Sequence, residues 1–124
     1  MSKIPSSTYE LTRVSIFFPF KKDTVGIFYK TIVQLYKDFG GCTVSLSNPC
    51  IFTGYWLEPL KTEPQVDKIV WIIVDVDQRL DDLRLKYFSE LKKWLEKTTQ
   101  ESEFWIICHP IYRFISSPLL SSPA

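Results

Sequence analysis

Apolar residues recur along this chain with a spacing that switches between two and three to four, and each switch marks an element. In ELTRVSIFFPF, Val14, Ile16 and Phe18 alternate with Arg13, Ser15 and Phe17, the period of a strand, and Pro19, with no N–H to give to a ladder, ends the run. Beyond Asp23 and Thr24, either of which can cap a helix, Val25, Phe28, Ile32, Leu35, Tyr36 and Phe39 fall on one helical face. Gly40 and Gly41 then stop it, because glycine tolerates the left-handed conformation that a helix exit needs. CTVSLS alternates again, NPC interrupts it and IFTGYWLE resumes as extended chain, so the second strand is expected to be long and bulged, or doubled into a hairpin.

After the loop EPLKTEPQ, the run DKIVWIIVDVD is almost wholly apolar, which predicts a strand buried on both faces in mid-sheet. Asp77 is expected to cap a second helix whose face is Leu80, Leu83, Tyr87, Leu91, Trp94 and Leu95, and EFWIICHPIYRF is the last strand. The order β-α-β-β-α-β predicts the α+β class and, within it, a ferredoxin-like sandwich: an antiparallel sheet with both helices on one face.

That topology assigns the two sides of the sheet. Even positions should face the helices: Val14, Ile16 and Phe18; Cys42, Val44 and Leu46; Val70, Ile72, Val74 and Val76; Phe104, Ile106 and Cys108. Odd positions should form the open face, with Phe17, Trp71, Ile73, Trp105 and Ile107 as an apolar patch and Arg13, Asp75 and His109 at its margin. A patch of that kind is near or above what a monomer ordinarily leaves bare. It could be covered by a second copy, by the doubled second strand or the Leu119–Leu120 segment folding back, or by a small-molecule or nucleic-acid ligand resting on the aromatics.

Composition narrows the picture. At 124 residues the chain fits one core, and with 45% apolar and 23% charged residues it is expected to fold rather than remain disordered. The expected domain spans residues 9–115, between mobile Ser- and Pro-rich tails at 1–8 and 116–124. A formal charge of +1 offers no field to attract polyanions, so nucleic acid is not expected as a partner. No apolar run is long enough to cross a bilayer and MSKIPSSTYELTR lacks an apolar signal core, so a soluble cytoplasmic protein without membrane contact is expected. Three cysteines cannot pair completely within one chain, in keeping with a reducing compartment.

Candidate chemistry is sparse. Cys108 and His109 are neighbours on a strand and point to opposite faces, which prevents both from holding one ion; no metal site or cofactor is expected. Cys42 and Cys108 read as buried core thiols and Cys50, after the NP turn, as an exposed one. His109 is the one side chain whose ordinary pKa lies near neutrality, and Asp75 or Arg13 could assist it in proton transfer. The simpler reading is a strand-end histidine with local hydrogen bonds. The acids of VDVDQRLDD lack the spacing of a calcium loop and suit a helix start. DKIVWIIV lacks the basic-aromatic signature by which an open sheet of this kind stacks RNA bases. Lys92, Lys93 and Lys97 are the basic end of a solvated helix.

GCTV, then GYW, then a strand and an amphipathic helix ending near QESEFWII, resembles a family of small uncharacterised bacterial ferredoxin-like domains, over residues 11–113. The chain departs from that pattern by the insertion SNPCIF. The resemblance implies the fold and brings no activity. The expected function is therefore a non-enzymatic binding or regulatory module, homodimeric through the open face. The alternative is a small dimeric α+β-barrel enzyme with His109 as proton-transfer residue, and an RNA-binding sheet is a third reading.

Overall fold

The alternating run at the start of the chain is the centre of the sheet. In the computed structural model, which describes residues 7–45, 52–80, 84–101 and 104–115, it forms β1 (Thr8–Pro19), followed by α1 (Val25–Phe39), β2 (Thr43–Val44), β3 (Phe52–Trp56), β4 (Gln65–Val76), α2 (Leu85–Thr99) and β5 (Trp105–Phe114). The architecture is α+β: one five-stranded sheet in which every pairing is antiparallel, with two helices. β1 pairs β4 on one side and β5 on the other. The strand order is β2-β4-β1-β5, with β3 also on β4.

Among the described residues β2 and β3 pair with β4 and not with each other, the arrangement of one long, interrupted strand rather than of a hairpin. Thr43 lies opposite Ile73 and Phe52 opposite Ile69, so both run antiparallel to β4 and follow one another along its outer edge. Ser45 ends the regular part of β2: its N–H donates to the Trp71 carbonyl (3.0 Å) while its Oγ accepts the Trp71 N–H (3.0 Å), a side chain taking a bond that a strand carbonyl would otherwise receive. Leu46 and Cys50 lie outside the described residues, as do Asp81, Asp82, Leu83, Leu119 and Leu120. So do residues 1–6 and 116–124, most of the two expected tails; β1 begins at Thr8, inside the first.

The even positions build the core. Val14, Ile16, Phe18, Val70, Ile72, Val74, Val76 and Phe104 are buried in one cluster with Phe28 and Leu35 of α1 and Phe88, Leu91 and Leu95 of α2, so both helices cover that face. Val44, Ile106, Cys42 and Cys108 pack on its rim and are half-buried, so neither thiol is as deep as expected.

The helices depart from the expected faces in instructive ways. In α1, Thr31 is buried and Tyr36 exposed; Thr31 tolerates burial because its hydroxyl donates to the Ile27 carbonyl (2.8 Å). Thr24 precedes α1, but its hydroxyl makes no cap bond and works backwards instead, accepting the Lys21 N–H (2.8 Å). Gly40 stops α1 as expected, at φ +89° with its N–H on the Tyr36 carbonyl (2.9 Å). α2 begins after Arg84 rather than Asp77, since the chain leaves β4 in a tight turn closed by the Gln78 N–H on the Val76 carbonyl (2.7 Å). The later start centres its buried face on Phe88, Leu91 and Leu95 and leaves Trp94 at the exposed border. Glu96 then ties α2 to the last strand by accepting the Phe104 N–H (3.0 Å) as well as the Lys92 ammonium, and the Lys92 bond foremost holds its carboxyl below the usual range.

At the helix pair, the Tyr87 hydroxyl donates to Asp38 (2.6 Å) and Arg84 lies over the rings of Phe39 and Tyr87. Burial first, and the Asp38 bond next, push the Tyr87 phenol from 10.0 up to about 12. The folded state favours the neutral phenol, so this stabilisation is fully present below the ordinary value and is lost as pH rises from about 10 to about 12. Titrating the phenolate absorbance should show one of the six tyrosines ionising late, a component that disappears in Tyr87→Phe. A titration curve identical in wild type and variant would contradict the Asp38 contact.

Candidate functional site

Antiparallel pairing aligns the odd positions of three strands into rows on the face away from the helices. Trp71, Phe17 and Trp105 form the first, Ile73, Ser15 and Ile107 the second, and Asp75, Arg13 and His109 the third. Directly opposite residues in such a ladder have their Cβ atoms about 4.5–5.5 Å apart, so each row is in side-chain contact. Phe17 stacks on Trp71 with ring centroids 5.7 Å apart. Trp105 and Ile107 remain 48% and 42% exposed, while Phe17, Trp71 and Ile73 are half-buried. All five residues expected in the apolar patch share this face.

Two further rings join them. Phe52 meets Trp71 edge-on (6.2 Å), and Trp56 reaches Trp105 on the far strand (5.7 Å, 39° between planes). Trp56 reaches that far because of Gly54, where a Cβ would lie 3.0 Å from the Trp56 indole. The indole therefore lies back over the glycine backbone, and no larger residue leaves that space. The signal was legible in the sequence as the period-two triplet Phe52, Gly54, Trp56, which continues the open face onto the second strand. β3 thus covers part of the face itself and leaves two hollows. One is an apolar groove of about 420 Å³ among Phe52, Trp71, Ile69 and Ile107. The other, of about 350 Å³, lies at the Trp56–Trp105 end and is lined also by Asp67, Glu101 and Glu58.

The polar margin is internally paired. Arg13 grips Asp75 through two bonds, Nε to Oδ1 at 2.8 Å and Nη2 to Oδ2 at 3.0 Å, which raises the guanidinium pKa. His109 is exposed and lies opposite Arg13, with no side-chain hydrogen bond among the described residues. The three candidate proton-transfer residues are adjacent, with each Asp75 oxygen accepting a bond from Arg13 and no side-chain bond from the His109 imidazole to Asp75 among the described residues. Arg113 donates to the Tyr9 hydroxyl (3.1 Å), at the end of the sheet away from the aromatic row.

Cys42, just before β2, packs against the core on the helix side while His109 stands on the open face of β5, and burial pushes the Cys42 thiol up, away from the reactive thiolate. No group of three or more histidine, cysteine or acidic side chains suited to a metal ion occurs among the described residues. No helix among them is long and apolar enough to cross a membrane. No family model, curated protein or solved structure matches this chain.

Proposed function

We propose that this protein is a non-enzymatic binding or regulatory module, a ferredoxin-like sandwich that forms a homodimer through its open face. The observation that carries the reading is the exposure of Trp105 and Ile107 beside Phe52 and Trp71 on one continuous surface. Covering such a surface with a second copy removes apolar area from water at roughly 25 cal/mol per Å². The edge of β5 is less inviting than the face. Pro110 sits in mid-strand opposite Thr12, where it keeps its place only with its nitrogen turned away from β1, so the free edge lacks a donor there. A partner is therefore directed to the face. The proposal places the protein in the cytoplasm, without cofactor, nucleic acid or membrane, and keeps its likeness to the small bacterial ferredoxin-like domains.

Light scattering over a concentration series tests it, with Ile107→Glu as the perturbing variant, since that side chain is exposed and its replacement leaves the core intact. Wild type should weigh as a dimer and the variant as a folded monomer. A wild type that stays monomeric at every concentration overturns the dimer. His109→Ala should leave the association unchanged; a catalytic activity found in wild type and abolished by that substitution would turn the reading to the barrel enzyme.

A further inference from the structure

We infer that the chamber at the Trp56–Trp105 end of the face binds a small organic cation, an alkylammonium ion free in solution. This names a ligand for the binding module proposed above and rests on that reading; Phe17 and Trp105 line the chamber and also stand on the open face, so the test below reads the ligand and the dimer separately.

Two kinds of group line the chamber. Trp56, Trp105 and Phe17 supply ring surfaces, the two indoles meeting at a 39° tilt with centroids 5.7 Å apart. Indole faces are the best aromatic partners for a cation, through the negative face of the ring quadrupole. Asp67, Glu101 and Glu58 supply carboxylates; Asp67 is buried, with its side chain 8% exposed, Glu101 is half-buried at 16%, and Glu58 is exposed. Among the described residues Lys21 pairs with Glu101 and approaches Asp67 at 3.8 Å, and Lys61 lines the adjoining hollow beside Trp56 and Glu58, so three carboxylates stand against two ammonium groups. Gln65 also donates to Asp67 (3.1 Å), so this carboxylate is held in place.

The chamber therefore keeps an excess of negative charge beside ring faces in a partly desolvated hollow. Charge complementarity excludes phosphates and other anions. The rings offer no oxygen or nitrogen ligands to a metal ion, and Asp67 and Glu101, bonded to Gln65 and Lys21, contribute their charge to the chamber rather than open coordination sites. An alkylammonium satisfies both features, since its positive charge is spread over apolar surface that lies against indole. The volume of about 350 Å³ is at the lower end of ligand pockets, which suits one small molecule.

The test is a titration of the full chain with choline chloride against sodium chloride at matched ionic strength, followed by tryptophan fluorescence and the indole N–H signals in NMR. The uncharged isostere 3,3-dimethylbutan-1-ol serves as the comparison. Choline should shift the Trp56 and Trp105 signals saturably, with the alcohol at least about tenfold weaker. Glu58→Gln, an exposed position, should weaken choline about threefold to tenfold, and Trp56→Leu by more than about tenfold. Absence of a saturable shift, equal binding of the alcohol, or unchanged binding in both variants overturns the inference. Light scattering on the same samples reads the dimer separately. Choline binding by monomeric Ile107→Glu, or by a wild type that proves monomeric, sustains the cation site whatever becomes of the dimer. Loss of binding in folded Ile107→Glu overturns it, because the chamber would then need a second copy.

Discussion

Phe18→Ala is expected to cost about 3–5 kcal/mol of folding stability, the usual range for removing a fully buried aromatic ring from a core that cannot collapse around the gap. Phe18 is fully buried in the central strand and meets two rings edge-on, Phe28 of α1 at 5.4 Å and Phe104 at 5.2 Å, just before β5. It therefore joins the sheet, the first helix and the entry to the last strand at one point. Domains of this size are stable by only about 5–15 kcal/mol, so the variant should be marginal, with its thermal midpoint lowered on the order of 10–20 °C. Urea unfolding gives the measurement: the midpoint should fall while the slope is kept, and Phe18→Leu, which retains most of the volume, should lie between variant and wild type. A cost below about 1 kcal/mol for the alanine would mean that Phe18 is not the centre of this core.

Thr24→Val should destabilise by about 1–3 kcal/mol although it preserves size and shape, because it leaves polar backbone without a partner. Thr24 is buried, its hydroxyl accepts the Lys21 N–H at 2.8 Å, and that same oxygen lies 3.0 Å from the Pro19 carbonyl to which it donates. This closes the turn between β1 and α1, a turn that Pro19 cannot close with an N–H of its own. Thr24→Ser is the control: it keeps the hydroxyl and forfeits one methyl group, about 0.8 kcal/mol. Chemical denaturation of the pair separates the two contributions. If valine proves no worse than serine, the hydroxyl does not hold the turn.

The chain announced its elements wherever one physical cause dominated. The alternation in β1 follows from a sheet buried on one face by helices, while β4, expected to be buried on both faces, is buried on the helix side and only half-buried at Trp71 and Ile73 on the other; the two patterns placed Val14, Ile16, Phe18, Val70, Ile72, Val74 and Val76 in the core. The period also carried the candidate face, since residues two apart point the same way whatever their partners; Phe17, Trp71, Ile73, Trp105 and Ile107 were grouped on that ground alone. Local rules served less well where tertiary contacts compete with them. Asp77 and Thr24 are both good capping residues, yet the exit from β4 delays α2 to Leu85, and the Thr24 hydroxyl is drawn to the strand end behind it.

By itself, then, the sequence determined the elements, the class and the separation of a buried from an open sheet face, because periodicity is a property of each segment alone. Which side chains meet was decided only in the folded chain. The ladder sets Arg13 between Asp75 and His109 and commits the carboxylate to the guanidinium, a choice invisible when 62 residues separate the partners. The same folding carries Trp56 over Gly54 to Trp105 and gathers Lys21, Asp67 and Glu101 beneath them. Pairwise proximity between distant segments depends on register and sheet curvature, and no local pattern of residues encodes those.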